Sequence, residues 1–230
     1  MTGMPPRLLC AALGGLLLLT ACGEQPTPRA VESGYHGVEP TKTVQRPRFV
    51  LTDTTGASFD FHAQTSGHPT YVYFGYTNCP DECPTAMADV AAALRTSPPE
   101  LRDRVKVVFV TTDPTRDTGP VLRRFLDQFD TSFIGLTGSG VDVARAQTTA
   151  GVTPGKPEGV NPTEPGRPDT HTHEPGTARH KHFGALGYAV SHSALIFAYD
   201  AADRLPVAYP GGVTPSDIAA DLPVLHEPPD

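Results

Sequence analysis

A continuous run of apolar, aromatic and β-branched residues over 70–76, and a second over 105–111 interrupted only by Lys106, lack polar alternation. Such runs predict strands buried on both faces of a sheet. Each gives way to helical spacing. Residues 86–94 place Met87, Val90 and Leu94 on one face before Pro98-Pro99 stops the pattern, and residues 120–129 carry Val121, Leu122, Phe125, Leu126 and Phe129 along one stripe. Runs 48–53 and 58–61 flank Thr54-Thr55-Gly56-Ala57 as a hairpin, 133–136 returns extended, and 141–149 forms a modest helix. Segments 193–199 and 204–209 make two further strands, and a last helix over 215–222 is capped by Thr214. This alternation predicts an α/β domain.

Two stretches fall outside the pattern. Residues 8–19 are apolar but too short to span a bilayer comfortably, with Arg7 ahead of them and Leu19-Thr20-Ala21-Cys22 at their end. That ending resembles a bacterial lipobox, which implies a lipoprotein signal over 1–21 and acyl chains on Cys22. The Pro-, Gly- and Thr-rich segment that follows predicts a flexible, lipid-anchored tether over 22–46 and a domain over 47–226. The domain is then extracytoplasmic and held at the bacterial cell membrane by lipid. Residues from about 153 to 182 lose all periodicity and read as a His-, Pro- and Gly-rich insertion. It concentrates His171, His173, His180 and His182, four of the nine histidines, as a polar loop or as a gatherer of Cu(II) or Zn(II).

The formal net charge of −7, with lysines and arginines scattered, argues against nucleic acid as a partner. Of the four cysteines, Cys10 falls in the signal and Cys22 at the lipid site, leaving Cys79 and Cys83. They sit where the first buried run meets its helix, in Y-F-G-Y-T-N-C-P-D-E-C-P. Residues four apart at a helix start share a face, and the helix N-terminus favours thiolate. Two such thiols can hold a soft metal, exchange electrons as a dithiol, or simply form a structural disulfide. Asp81 and Glu82 between them read as solvated turn residues, Met87 as core, and Asp113 before Pro114 as turn punctuation.

Five landmarks in order resemble the Sco/SenC family of thioredoxin-like copper proteins. They are Phe49-Val-Leu-Thr-Asp53, the segment from Tyr73 to Pro84, Thr112-Asp-Pro-Thr-Arg-Asp-Thr118, Ile134-Gly-Leu-Thr-Gly138 and Val190-Ser-His192-Ser. The resemblance implies a thioredoxin-like α/β fold, a central mixed β-sheet flanked by helices. It also implies copper, as Cu(I) and Cu(II), on Cys79, Cys83 and His192. The implied function is a metallochaperone, more a copper carrier than an enzyme, that helps assemble the dinuclear copper site of cytochrome c oxidase. Its partners would be the copper-receiving oxidase subunit and another copper chaperone. A thiol-disulfide oxidoreductase that keeps oxidase cysteines reduced through the redox pair Cys79 and Cys83, or a copper and redox sensor, are the alternatives. Against the reductase stand the C-x-x-x-C spacing and Ser191-His192, where thioredoxin-like reductases place a cis-proline. The insertion is a departure from the family, because it separates His192 from Cys83 by more chain than these proteins carry.

Overall fold

The computed structural model describes residues 34–158 and 188–227. The expected signal, Cys10, Cys22, the start of the tether and the cluster from His171 to His182 lie outside the described residues. Among those described, no helix is long and apolar enough to cross a membrane.

The elements follow one another as β1 (Val50–Asp53), β2 (Ser58–Asp60), α1 (Phe61–Thr65), β3 (Thr70–Gly75), α2 (Glu82–Thr96), α3 (Pro99–Arg102), β4 (Lys106–Thr111) and α4 (Gly119–Leu126). Then come β5 (Ile134–Thr137), α5 (Gly140–Thr149), β6 (Pro157–Glu158), β7 (Ala189–Val190), β8 (Ile196–Tyr199), β9 (Val207–Tyr209) and α6 (Pro215–His226). Seven strands form one sheet in the order β2-β1-β5-β4-β3-β8-β9. The ladders β3–β4 and β4–β5 are parallel, and the others are antiparallel. A mixed sheet between helices is the thioredoxin-like α/β fold expected.

Alternation within the two central strands builds a core on each side. Tyr71 and Tyr73 of β3 and Val107 and Phe109 of β4 join Met87, Val90, Leu122, Phe125 and Ile218 from α2, α4 and α6. Val72, Phe74, Val108 and Val110 face the opposite way, onto Phe61, Val143 and Ala146 of α1 and α5. Because neither face meets water, neither strand shows polar alternation in the sequence.

Several boundaries move. The expected strand over 193–199 starts only at Ile196, since the preceding residues leave the ladder and His192 lies beside the thiols that follow β3. Phe61 does not end the hairpin strand but begins α1, because the Asp60 carboxylate accepts from the Ala63 N–H and caps a helix there. Pro99 stops one helix and opens another, α3, where its missing N–H costs nothing. The last helix extends to His226 behind a complete capping box between Thr214 and Asp217.

On its domain side the tether is shorter than composition predicted. Val38 pairs with Ala208, Gln45 bridges to Arg204, and Arg46 is 3% exposed. The Arg46 guanidinium donates to the Asp203 carboxylate at 2.7 Å, to the Thr65 and Thr70 hydroxyls and to the His68 and Asp200 carbonyls. A buried cation with that many acceptors is a structural anchor. Residues 34–46 therefore lie along the domain.

The insertion also acquires a base that no periodicity announced. Strands β6 and β7 pair at its two ends, with Pro157 opposite Val190, and the Ser191 N–H donates to the Lys156 carbonyl at 3.0 Å.

Candidate metal centre

Cys79 comes from the turn between β3 and α2, and Cys83 from the first turn of α2. The Cys79 N–H donates to the Tyr76 carbonyl at 3.2 Å, and the Asp117 carboxylate fastens the turn from below. It accepts from the Thr77 N–H at 2.9 Å, the Thr77 hydroxyl at 2.6 Å and the Thr111 hydroxyl at 2.7 Å, tying the turn to the end of β4. Asp117 is fully buried, and burial raises its pKa against the pull of those donors. At the start of α2 the Asp81 side chain makes no cap hydrogen bond. The Cys79 sulfur takes that place, accepting from the Cys83 N–H at 3.5 Å.

Gly75 is fixed by the thiols. A Cβ at this position would sit 2.7 Å from the Cys83 Sγ and 2.7 Å from the Tyr73 ring. Any side chain here would occupy the space of the sulfur.

His192 arrives from the other direction, just past β7. Gly155 lets it pass: a Cβ there would meet the Ser191 carbonyl oxygen at 2.7 Å. A second set of contacts holds the same strand from the β4–α4 loop. Arg116 pairs with Asp113, donates to the Tyr188 carbonyl at 3.1 Å, and lies 3.7 Å over the Tyr188 ring. The Tyr188 hydroxyl returns to the Asp113 carboxylate at 3.0 Å. Arg116 also reaches the ring of Tyr76 at 5.7 Å, and that ring stands edge-on to His192 at 5.5 Å. Asp113, which looked like ordinary punctuation, is thus a buried positioning residue at 5% exposure.

The two arms meet. The His192 Nε2 lies 3.8 Å from the Cys79 Sγ and 3.7 Å from the Cys83 Sγ. The Nδ1 of His192 faces the Ser193 carbonyl at 3.2 Å, which can only accept, so Nδ1 carries the hydrogen and the neutral ring turns its Nε2 lone pair to the sulfurs. Among the described residues this is the one group of three or more His, Cys, Asp or Glu side chains whose donor atoms converge, all within 4.8 Å of one another. Metal–sulfur bonds of about 2.3 Å and metal–nitrogen bonds of about 2.0 Å sum to roughly 4.3 Å, so one ion can reach sulfur and nitrogen at the observed separations.

The electrostatics separate the two thiols. The hydrogen bond from Cys83 pulls the Cys79 thiol well below its ordinary pKa, aided by His192 and by backbone N–H groups at the helix start. Burial pushes Cys83 well above it, and the Cys79 charge adds to the rise. For His192 burial opposes charge, but hydrogen bonds to Cys79 and Ser193 and the Cys79 and Glu82 charges outweigh it and raise the pKa. Cys79, half-buried, is the thiolate that an incoming group meets, and Cys83 is buried behind it. Asp81 and Glu82 are exposed, with the Glu82 carboxylate 3.8 Å from the His192 Nε2. Met87 is buried in the same core as Cys83.

The SCO1/SenC family model matches residues 38–226. The chain belongs to the SCO1/SenC family. A SCO2-like protein of Rickettsia prowazekii is 32% identical over 131 residues, 57% of this chain and 62% of that one. The chain spans about half the length of the curated relatives it matches. Solved Sco structures align over nearly their whole length. Bradyrhizobium japonicum ScoI with copper bound is 30% identical at a TM-score of 0.60, covering 78% of this chain and 98% of that one. Apo Sco1 of Thermus thermophilus is 27% identical at 0.66, covering 85% and 99%.

Sequence reasoning missed Asp117, Arg116, Tyr188, Gly75 and Gly155 as positioning residues. The signal available was Thr112-Asp-Pro-Thr-Arg-Asp-Thr118, which sets two carboxylates and a guanidinium directly after a buried strand.

Proposed function

We propose that this chain binds copper through Cys79, Cys83 and His192 and delivers it to the copper-receiving subunit of cytochrome c oxidase as the dinuclear copper site is assembled. The convergence of two sulfurs and one imidazole Nε2 carries the reading. Soft thiolates suit Cu(I), and the added nitrogen lets the same set accept Cu(II). Copper is here the cargo. Loading displaces the Cys83 proton, which burial holds on the free protein, so uptake weakens as pH falls. The half-exposed Cys79 is the ligand that a partner's thiolate displaces first. Oxidase as the destination rests on family membership, since the whole relatives are longer than the part matched.

A second reading has its own observation. The hydrogen bond that leaves Cys79 as thiolate and Cys83 as thiol would also serve disulfide exchange, with Cys79 attacking and Cys83 resolving. A strain carrying His192→Ala separates the two. Copper transfer needs the nitrogen, so oxidase maturation should fail in that strain although both thiols remain. Normal maturation would favour the reductase. Acylation at Cys22, with the domain held outside the cytoplasm, belongs to the same proposal. Fatty-acid labelling should disappear in Cys22→Ala, and labelling that persists would remove the anchor.

A further inference from the structure

Beside the thiols runs a groove of about 170 Å³ between the start of α2 and the turn after β9. Its floor and far wall are apolar, from Ile196, Tyr209 and Val213. Its near rim is acidic, from Asp81, Glu82 and Asp89, and no lysine or arginine lines it. Asp89 is partly buried, makes no hydrogen bond or ion pair among the described residues, and has its pKa raised by burial. Asp81 has only the Thr85 hydroxyl at 3.5 Å, and Glu82 only the distant His192 ring at 3.8 Å. An apolar trough under three unneutralised carboxylates matches one kind of side chain. The aliphatic stem of arginine or lysine covers apolar surface while its charged head stays among acceptors. Tyr73 joins the groove to the centre, since it lines the groove and its ring lies 6.0 Å from that of His192.

We propose that this groove receives an arginine or lysine side chain of the protein that exchanges copper with the Cys79, Cys83 and His192 site. The inference rests on the copper-transfer reading and adds to it the charge of the partner. A basic residue beside the partner's thiols would orient them toward Cys79. Copper(I) would then pass by ligand exchange with no electron moved: the partner's two thiols release two protons, Cys83 takes up one as it leaves the metal, the solvent takes the other, and Cys79 is left as thiolate.

The test uses the full chain in detergent, loaded with copper(I) without oxygen, and two synthetic peptides with the same thiol pair. One peptide has arginine beside the pair and the other glutamate. Copper assayed in the peptide fraction over time should appear about tenfold faster for arginine at low ionic strength, with the gap closing as salt rises. Asp89→Lys should erase the preference, and Asp89→Asn reduce it, with copper content unchanged because Asp89 touches none of the three donors. Equal rates for the two peptides on the unaltered chain, or a preference that survives Asp89→Lys, would overturn the proposal. A chain that took up no copper(I) would instead remove the transfer reading. The groove is then decided by fluorescence anisotropy of a thiol-free arginine peptide on the same chain: saturable binding lost in Asp89→Lys supports it, and absence of binding overturns it.

Discussion

The two arms of the candidate metal centre are built by different means. The thiol arm is local: β3, its turn and α2 follow one another in sequence, and a buried carboxylate six residues past Thr111 secures the turn. The histidine arm is remote, since His192 returns only after the insertion and depends on the β6–β7 ladder and on Arg116, Asp113 and Tyr188. One arm is therefore part of the core, and damage to it costs stability. The other is strapped to the core's edge, and damage to it costs geometry.

Asp117→Ala should have the largest effect on stability. It leaves the buried Thr111 hydroxyl without its acceptor, at about 1–3 kcal/mol, and the half-buried Thr77 N–H and hydroxyl without theirs at less each, so chemical denaturation should show a loss of about 2–4 kcal/mol. Gly75→Ala comes next, at about 1–3 kcal/mol for overpacking, and it should also lose copper because the added methyl takes the place of the Cys83 sulfur. A Gly75→Ala chain with unchanged copper affinity would mean that the thiol arm is not so tightly fixed.

On the histidine arm the balance should reverse. Tyr188→Phe, which removes one hydroxyl from the half-buried Tyr188 and keeps the Arg116–Asp113 pair, should alter the unfolding midpoint little, yet weaken copper binding by up to about 10-fold, the low end of the range for partners that orient metal ligands. Competition with a copper(I) chelator measures the second quantity. Stability losses equal to those of the thiol arm would erase the distinction.

The smallest effect is a control outside both arms. The His36 imidazole bonds to the buried Asp221 carboxylate at 2.5 Å, which raises its pKa. A raised pKa in the folded state adds stability that is fully present below the ordinary histidine value and lost as pH rises through the raised one. His36→Gln should flatten that pH dependence in thermal unfolding and leave copper binding alone.

The same division explains what was legible in the sequence. Apolar strands without polar alternation, a helix stripe and two thiols at a strand-to-helix junction are short-range signals, and β3, β4, α2 and α4 lay close to where they predicted. The fold class and the thiol pair followed. What stayed hidden was long-range. Strands of two residues at the feet of an insertion carry no period, and nothing local says that Pro157 pairs with Val190. Arg46 looked like part of a polar linker because its acceptors come from two distant segments, 65–70 and 200–203. His192 was reached through the family resemblance, and the insertion that separates it from Cys83 is closed at its base by β6 and β7.

That both arms close on one ion is the claim on which the rest depends. X-ray absorption on the copper(I)-loaded full chain tests it most directly. Two sulfurs and one nitrogen should surround the metal, and His192→Ala should remove the nitrogen and keep both sulfurs. A shell of sulfur alone in the unaltered chain, or a nitrogen that persists unchanged without His192, would contradict it.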